Sequence, residues 1–197
     1  FGYPPSHPCG KIREGWRLRG EIDKVYQPAD VGLIFEVGRD EEKKKKGGNE
    51  IWRAGLVEGF LYGARVPVNG VKVTQESNSL GFGSTSFVGS GRFDLYSFDR
   101  VSLLNGNQLQ AASIANDVTR FQRIEDGAWD VRPGFENDFY FVTTASVTSN
   151  SRLFRMRFDN ITRPELGGQI EILLNGTEGH QMLDNIALDR LGRLIMV

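Results

Sequence analysis

In residues 151–158, "SRLFRMRF", Phe154, Met156 and Phe158 alternate with Arg155 and Arg157, the period of two that a half-buried strand requires. "DFYFVTTA" (138–145) precedes it across the polar turn "SVTSN", and "GQIEILLNG" (168–176) follows a loop in which Pro164 resists strand pairing. "NIALD" and "GRLIMV" then predict a further hairpin around Arg190, Leu191 and Gly192. Earlier in the chain "GFLYGARVPV", "VKVTQE" and "RFDLYSF" predict shorter strands, and "VSLLNGNQLQAASI" (101–114) one short helix. Sustained 3.6-residue periodicity is otherwise scarce, so the pattern is that of an all-β chain.

Composition narrows the function classes. The 197 residues carry 24 Lys and Arg against 25 Asp and Glu, a near-neutral balance with no nucleic-acid footprint. No run reaches the ~20 apolar residues that span a bilayer, so no membrane span is expected. The one dense charge run, "RDEEKKKKGGNE" (39–50), largely cancels itself and reads as a solvated loop. Glycine-rich "GFGSTSFVGSG" (81–91) lacks the lysine and helix of a phosphate loop. Cys9 is the only cysteine, which excludes an internal disulfide framework and a cysteine-rich zinc site. His7 has no evident partner. The chain opens on Phe1 rather than Met, which would suit loss of an export leader, and two Asn-x-Thr triplets, at Asn160 and Asn175, decide nothing on their own.

Chemistry enters through a repeat. "IEDGAWD" (124–130) and "LDNIALD" (183–189) align residue for residue, pairing Glu125 with Asp184, Asp126 with Asn185 and Asp130 with Asp189; each string is followed by a turn and a strand. A strand-turn-strand unit repeated at this distance fits β-propeller blades, whose first strands line a central channel. Equivalent acids would converge there, and unpaired charges lose hydration at a cost of several kcal/mol, which a bound cation removes. An oxygen-only donor set of Glu125, Asp184, Asn185 and Asp126 favours calcium or magnesium over zinc. The plainer alternative is that Glu125 and Asp184 cap turns or pair with Arg123 and Arg190. His180, four residues before Asp184, is a candidate general acid or base, or a solvated loop histidine. Arg123, Arg152 and Arg190 are available by position to clamp phosphate, or to form surface salt bridges.

Five ordered strings, "RIEDGAWD", "NDFYFVTTAS", "SRLFRMRFDN", "PELGGQIEILLNGTEG" and "MLDNIALDRLGRLIMV", resemble bacterial PhoX-type alkaline phosphatases and phytase-like esterases. The resemblance is dense over 120–197, thinner over 59–109 and absent before residue 55. It implies an exported, secreted or periplasmic, β-propeller with metal ions in its channel, acting as a calcium-dependent phosphoesterase on a small phosphorylated substrate. By it Glu125 and Asp184 would be metal ligands, Asn185 a third and Asp126 a further candidate, with His180 and Arg123 the candidate catalytic groups. The two acidic strings are also similar in shape to the metal-bearing strands of regucalcin-like gluconolactonases, which leaves a lactonase open. A non-catalytic calcium-binding propeller module is the third reading. Ile124 stands where the family shows proline, and no cysteine matches the phosphatases' iron ligand, so a second metal is left open and iron is not expected. The organisation this implies is a segment over 1–50 without assigned architecture and blades over 51–197, a partial propeller completed by further blades of the same protein or by another chain.

Overall fold

The computed structural model describes residues 17–18, 30–32, 34–37, 60–68, 71–73, 75–76, 90–98 and 104–197. Cys9, His7, the charge run at 39–50 and most of the glycine-rich loop at 81–91 lie outside the described residues. The fold is all-β: an antiparallel sheet curls into a half-barrel, as in a partial propeller.

Its strands, in chain order, are β1 (Arg17–Leu18), β2 (Asp30–Gly32), β3 (Ile34–Val37), β4 (Phe60–Val68), β5 (Val71–Val73), β6 (Ser90–Ser97), β7 (Arg120–Gln122), β8 (Ile124–Trp129), β9 (Asp138–Thr143), β10 (Arg152–Phe158), β11 (Gly168–Leu174), β12 (Ile186–Leu188) and β13 (Leu194–Met196). The main sheet runs β1-β3-β4-β6-β11-β10-β9-β8, with β5 added on β4. Within it β8 to β11 form an up-and-down meander, the connectivity of a single blade. The outer edge of that meander is not free: β11 pairs with β6, Gly168 opposite Phe93 and Glu171 opposite Ser90, so one sheet continues past the blade. Two short pairs stand beside it, β12 with β13 and β2 with β7.

One helix, α1 (Gly106–Ala115), occupies the predicted helical stretch. Its start is fixed by a capping box, Asn105 accepting from the Gln108 N–H while the Gln108 side chain accepts from the Asn105 N–H. Only Ser113 of its residues is buried, so it contributes little to the core.

Alternation along β10 places the core. Phe154, Met156 and Phe158 are at most 1% exposed and share one buried cluster with Phe93, Phe121, Phe141 and Ile170. Phe141 stacks on Phe154 with ring centroids 4.9 Å apart, and Phe121 meets Phe141 edge-on at 5.1 Å. Each such side chain stabilises the fold by about 1.5–3 kcal/mol through burial. β9 is buried on both faces: Phe139 and Phe141 point into this core, while Tyr140 and Val142 point the other way. The cover on that second side is the β12–β13 hairpin, whose Ile186, Leu188, Leu194 and Met196 pack on Tyr140, Val142, Leu153 and Leu174.

The repeat is structural. Asp130 donates its N–H to Asp138 O and accepts from Arg132 N; Asp189 donates its N–H to Arg193 O and accepts from Arg193 N. Both strings thus end in an aspartate that closes a turn and holds the arginine following it.

Candidate functional site

Glu125 and Asp126 sit in a β-bulge. Ile124 pairs with Thr143 and Gly127 with Phe141, so β8 carries one residue more than β9 across this stretch. A bulge re-aims side chains, and here it turns consecutive acids toward the β12–β13 hairpin. Gly127 is required at its end, because a Cβ there would lie 2.4 Å from the Phe139 ring and 3.0 Å from Tyr140 O. Just before the bulge the chain kinks at Arg123, a non-glycine residue at φ 59°. The kink separates β7, paired with β2, from β8 in the main sheet.

Two more left-handed non-glycine residues lie where the neighbouring segments cross this point: Ala145 at φ 58° and Met182 at φ 58°. The crossing is tied by hydrogen bonds from Thr144 N to Arg123 O, Ala145 N to Gln122 O and the Thr144 hydroxyl to Leu183 O. Leu183 N in turn donates to the Ser151 hydroxyl. Backbone in sparsely populated conformations costs about 1–3 kcal/mol per residue and collects at working sites.

The crossing brings Glu125 and Asp184 together. Their carboxyl groups stand within hydrogen-bonding reach when one of them carries the proton, although 59 residues separate them in sequence. Burial, and then the neighbouring Asp184, push the Glu125 carboxyl above the usual carboxylate range, against the downward pull of Arg123. Arg123 Nε lies 2.5 Å from Glu125 Oε1, so the guanidinium is part of the same cluster. The pairing with arginine expected as the plainer alternative is therefore present for Glu125. No ion pair joins Arg190 to Asp184 among the described residues, and Arg190 is exposed.

The other candidate residues take different places. Asp126 is a latch: Oδ1 accepts from Gly127 N at 2.8 Å and Oδ2 from Ile186 N at 3.1 Å, fastening β12 to the bulge. Asn185 is exposed and exchanges two backbone hydrogen bonds with Val197, which fixes Asp184 beside it. His180 is an exposed loop residue whose carbonyl accepts from Ser151 N. Among the described residues no three His, Cys, Asp or Glu side chains form a metal-holding group, so the protein supplies a pair of carboxylates rather than a closed cage.

Sequence reasoning missed the charged pair one strand away. Arg152, expected to be available to a phosphate, is 4% exposed and bound to the fully buried Glu76. Glu76 also accepts from the Thr143 hydroxyl at 3.0 Å and Gln122 N at 2.8 Å. Arg152 lies opposite Thr143, which lies opposite Ile124, so this network underpins the strand row next to Glu125. Glu76 closes a weak strand pattern and gives no periodic signal of burial.

Neither the protein-family models, nor the curated proteins, nor the solved structures contain a match to this chain.

Proposed function

We propose that Glu125 and Asp184 hold a divalent cation, calcium by the chemistry of their oxygens, at the end of the β8–β11 meander. The observation that carries this is the contact between two carboxylates on separate hairpins, one of them with its carboxyl pushed upward by burial and by the other. A half-buried acid and an exposed one in contact repel when both are ionised, and a hard cation relieves that repulsion. Water would fill the rest of a flexible calcium shell around the two acids. So few protein charges suit affinity in the range of about 10⁻⁴–10⁻³ M, typical of extracellular calcium modules, and an exported location belongs to the same proposal. Calcium titration of the chelator-treated protein tests it: a saturable rise in melting temperature is expected, lost in both Glu125→Gln and Asp184→Asn. A wild-type melting temperature indifferent to calcium and magnesium would exclude the reading.

Phosphoester hydrolysis is the activity we attach to this site, on the strength of the resemblance in sequence and of the Arg123 guanidinium beside the acids. Calcium bound there would supply charge to stabilise a phosphoryl transition state. Arg123 would bind a non-bridging phosphate oxygen while Glu125 and Asp184 hold the ion. Aryl phosphate turnover that requires calcium and falls sharply in Arg123→Ala supports hydrolysis. Calcium binding without turnover of phosphate esters or sugar lactones leaves the binding module, which the latch role of Asp126 and the burial of Arg152 favour.

A further inference from the structure

A cleft among the described residues includes neither acid of the Glu125–Asp184 pair. The turn after β9, the start of β10 and the loop after β11 enclose an open cleft of about 490 Å³. Gln122, Asn150, Arg152, Asn175 and Thr177 are among its lining residues, and Arg152 is the only charged one of the whole set. The charge of Arg152 is cancelled below the floor by Glu76, at 0% exposure. The cleft is therefore neutral, polar and without an aromatic wall.

Its loops are held in shape by their own hydrogen bonds. Asn150 Nδ2 donates to Gly176 O at 2.5 Å, Arg152 Nε to Asn175 O at 3.2 Å, and Gln181 Nε2 to Thr148 O at 3.2 Å. The Asn175 amide oxygen accepts from both the N–H and the hydroxyl of Thr177, at 2.9 and 2.7 Å. A small ligand entering such a cleft loses little to loop ordering, which is the main cost that preorganisation removes.

We infer that this cleft binds a neutral polyhydroxylated molecule, a simple sugar or polyol. The volume falls within the roughly 300–1,000 Å³ of small-ligand sites. Water in a polar cleft is displaced at no loss only by groups that reproduce its hydrogen bonds, and a sugar's hydroxyls both donate and accept. An anion finds its one cation already neutralised; a cation finds no free carboxylate in the lining. With no ring to stack on, affinity falls in the millimolar range, about 1 mM corresponding to only ~4 kcal/mol.

The test is an NMR titration of the full chain, in chelator so that calcium plays no part, with D-glucose, D-galactose and D-mannose and separately with inorganic phosphate. Saturable shifts of the Ser149, Asn150, Gly176 and Thr177 amides with at least one sugar, and none with phosphate, are expected. Thr177→Val, which removes one hydroxyl from the lining, weakens the midpoint about fivefold and leaves the remote β6 and α1 signals unmoved. Silence toward every sugar up to about 100 mM, saturation by phosphate alone, or an unaltered midpoint in Thr177→Val would each overturn the assignment.

Discussion

Glu125 is the residue on which the chemistry turns, and its behaviour has a definite sign. Its folded-state carboxyl titrates above the ordinary value of 4.5, so the folded protein holds the proton more tightly than the unfolded chain. Without metal, the contribution of this group to stability is therefore most favourable below about 4.5 and declines as pH rises through the raised value. Glu125→Gln flattens this decline and raises the metal-free melting temperature at neutral pH; thermal melts across pH 4 to 8 in chelator read it directly. A mutant that melts lower than wild type at neutral pH contradicts the repulsion. Burial pushes the Glu76 carboxyl upward too, against the pull of Arg152, but here the buried Arg152 guanidinium depends on the acid. Glu76→Gln leaves a buried guanidinium uncompensated and costs about 3–5 kcal/mol in denaturant unfolding. A loss under about 1 kcal/mol would mean the pair is not the fastening it is taken to be.

At the scale of elements, the bulge in β8 and the β12–β13 hairpin together make the site. Gly127→Ala forces a Cβ against Phe139 and Tyr140, which destabilises by about 1–3 kcal/mol and disturbs the acid pair more than the distant strands. Backbone amide shifts confined to residues 123–128 and 183–186 would show that local effect, and shifts spread evenly over the sheet would count against it. Ile186→Ala hollows the packing of the hairpin on β9 and costs about 2–5 kcal/mol. Because Asp184 N is hydrogen-bonded to Val197 O at the end of that hairpin, the same change weakens calcium binding; unchanged calcium affinity in a folded Ile186→Ala protein would separate the hairpin from the site.

These elements were unevenly legible in the sequence. Phe154, Met156 and Phe158 alternate with arginines, so both the existence and the facing of β10 followed from period alone. The likeness of "IEDGAWD" to "LDNIALD" predicted a strand, a turn and a further strand in each place, and β8–β9 and β12–β13 are both antiparallel pairs. What stayed hidden depends on long-range register or on unusual backbone. Nothing local marks β11 as the partner of β6, and nothing marks Arg123, Ala145 and Met182 as left-handed, a conformation that sequence patterns assign to glycine. Asp126 looked like an open ligand because a sequence cannot show that backbone N–H groups already hold both its oxygens.

For the whole molecule, the larger apolar cluster among the described residues draws on strands β4 to β11, while the polar groups of interest lie in β8 and in the loops before β10 and β12. The acid pair and the neutral cleft use different side chains, so the two sites are separable by mutation. No helix among the described residues is long and apolar enough to cross a membrane. The central claim is that the Glu125–Asp184 contact is a cation site. Its most direct test is isothermal calorimetry of the chelator-stripped protein with calcium chloride, run beside Glu125→Gln and Asp184→Asn. One saturable event in the wild type, with affinity between about 10⁻⁴ and 10⁻³ M and abolished by either substitution, is the expected result. No heat beyond dilution in the wild type, or binding undiminished in both variants, would contradict it.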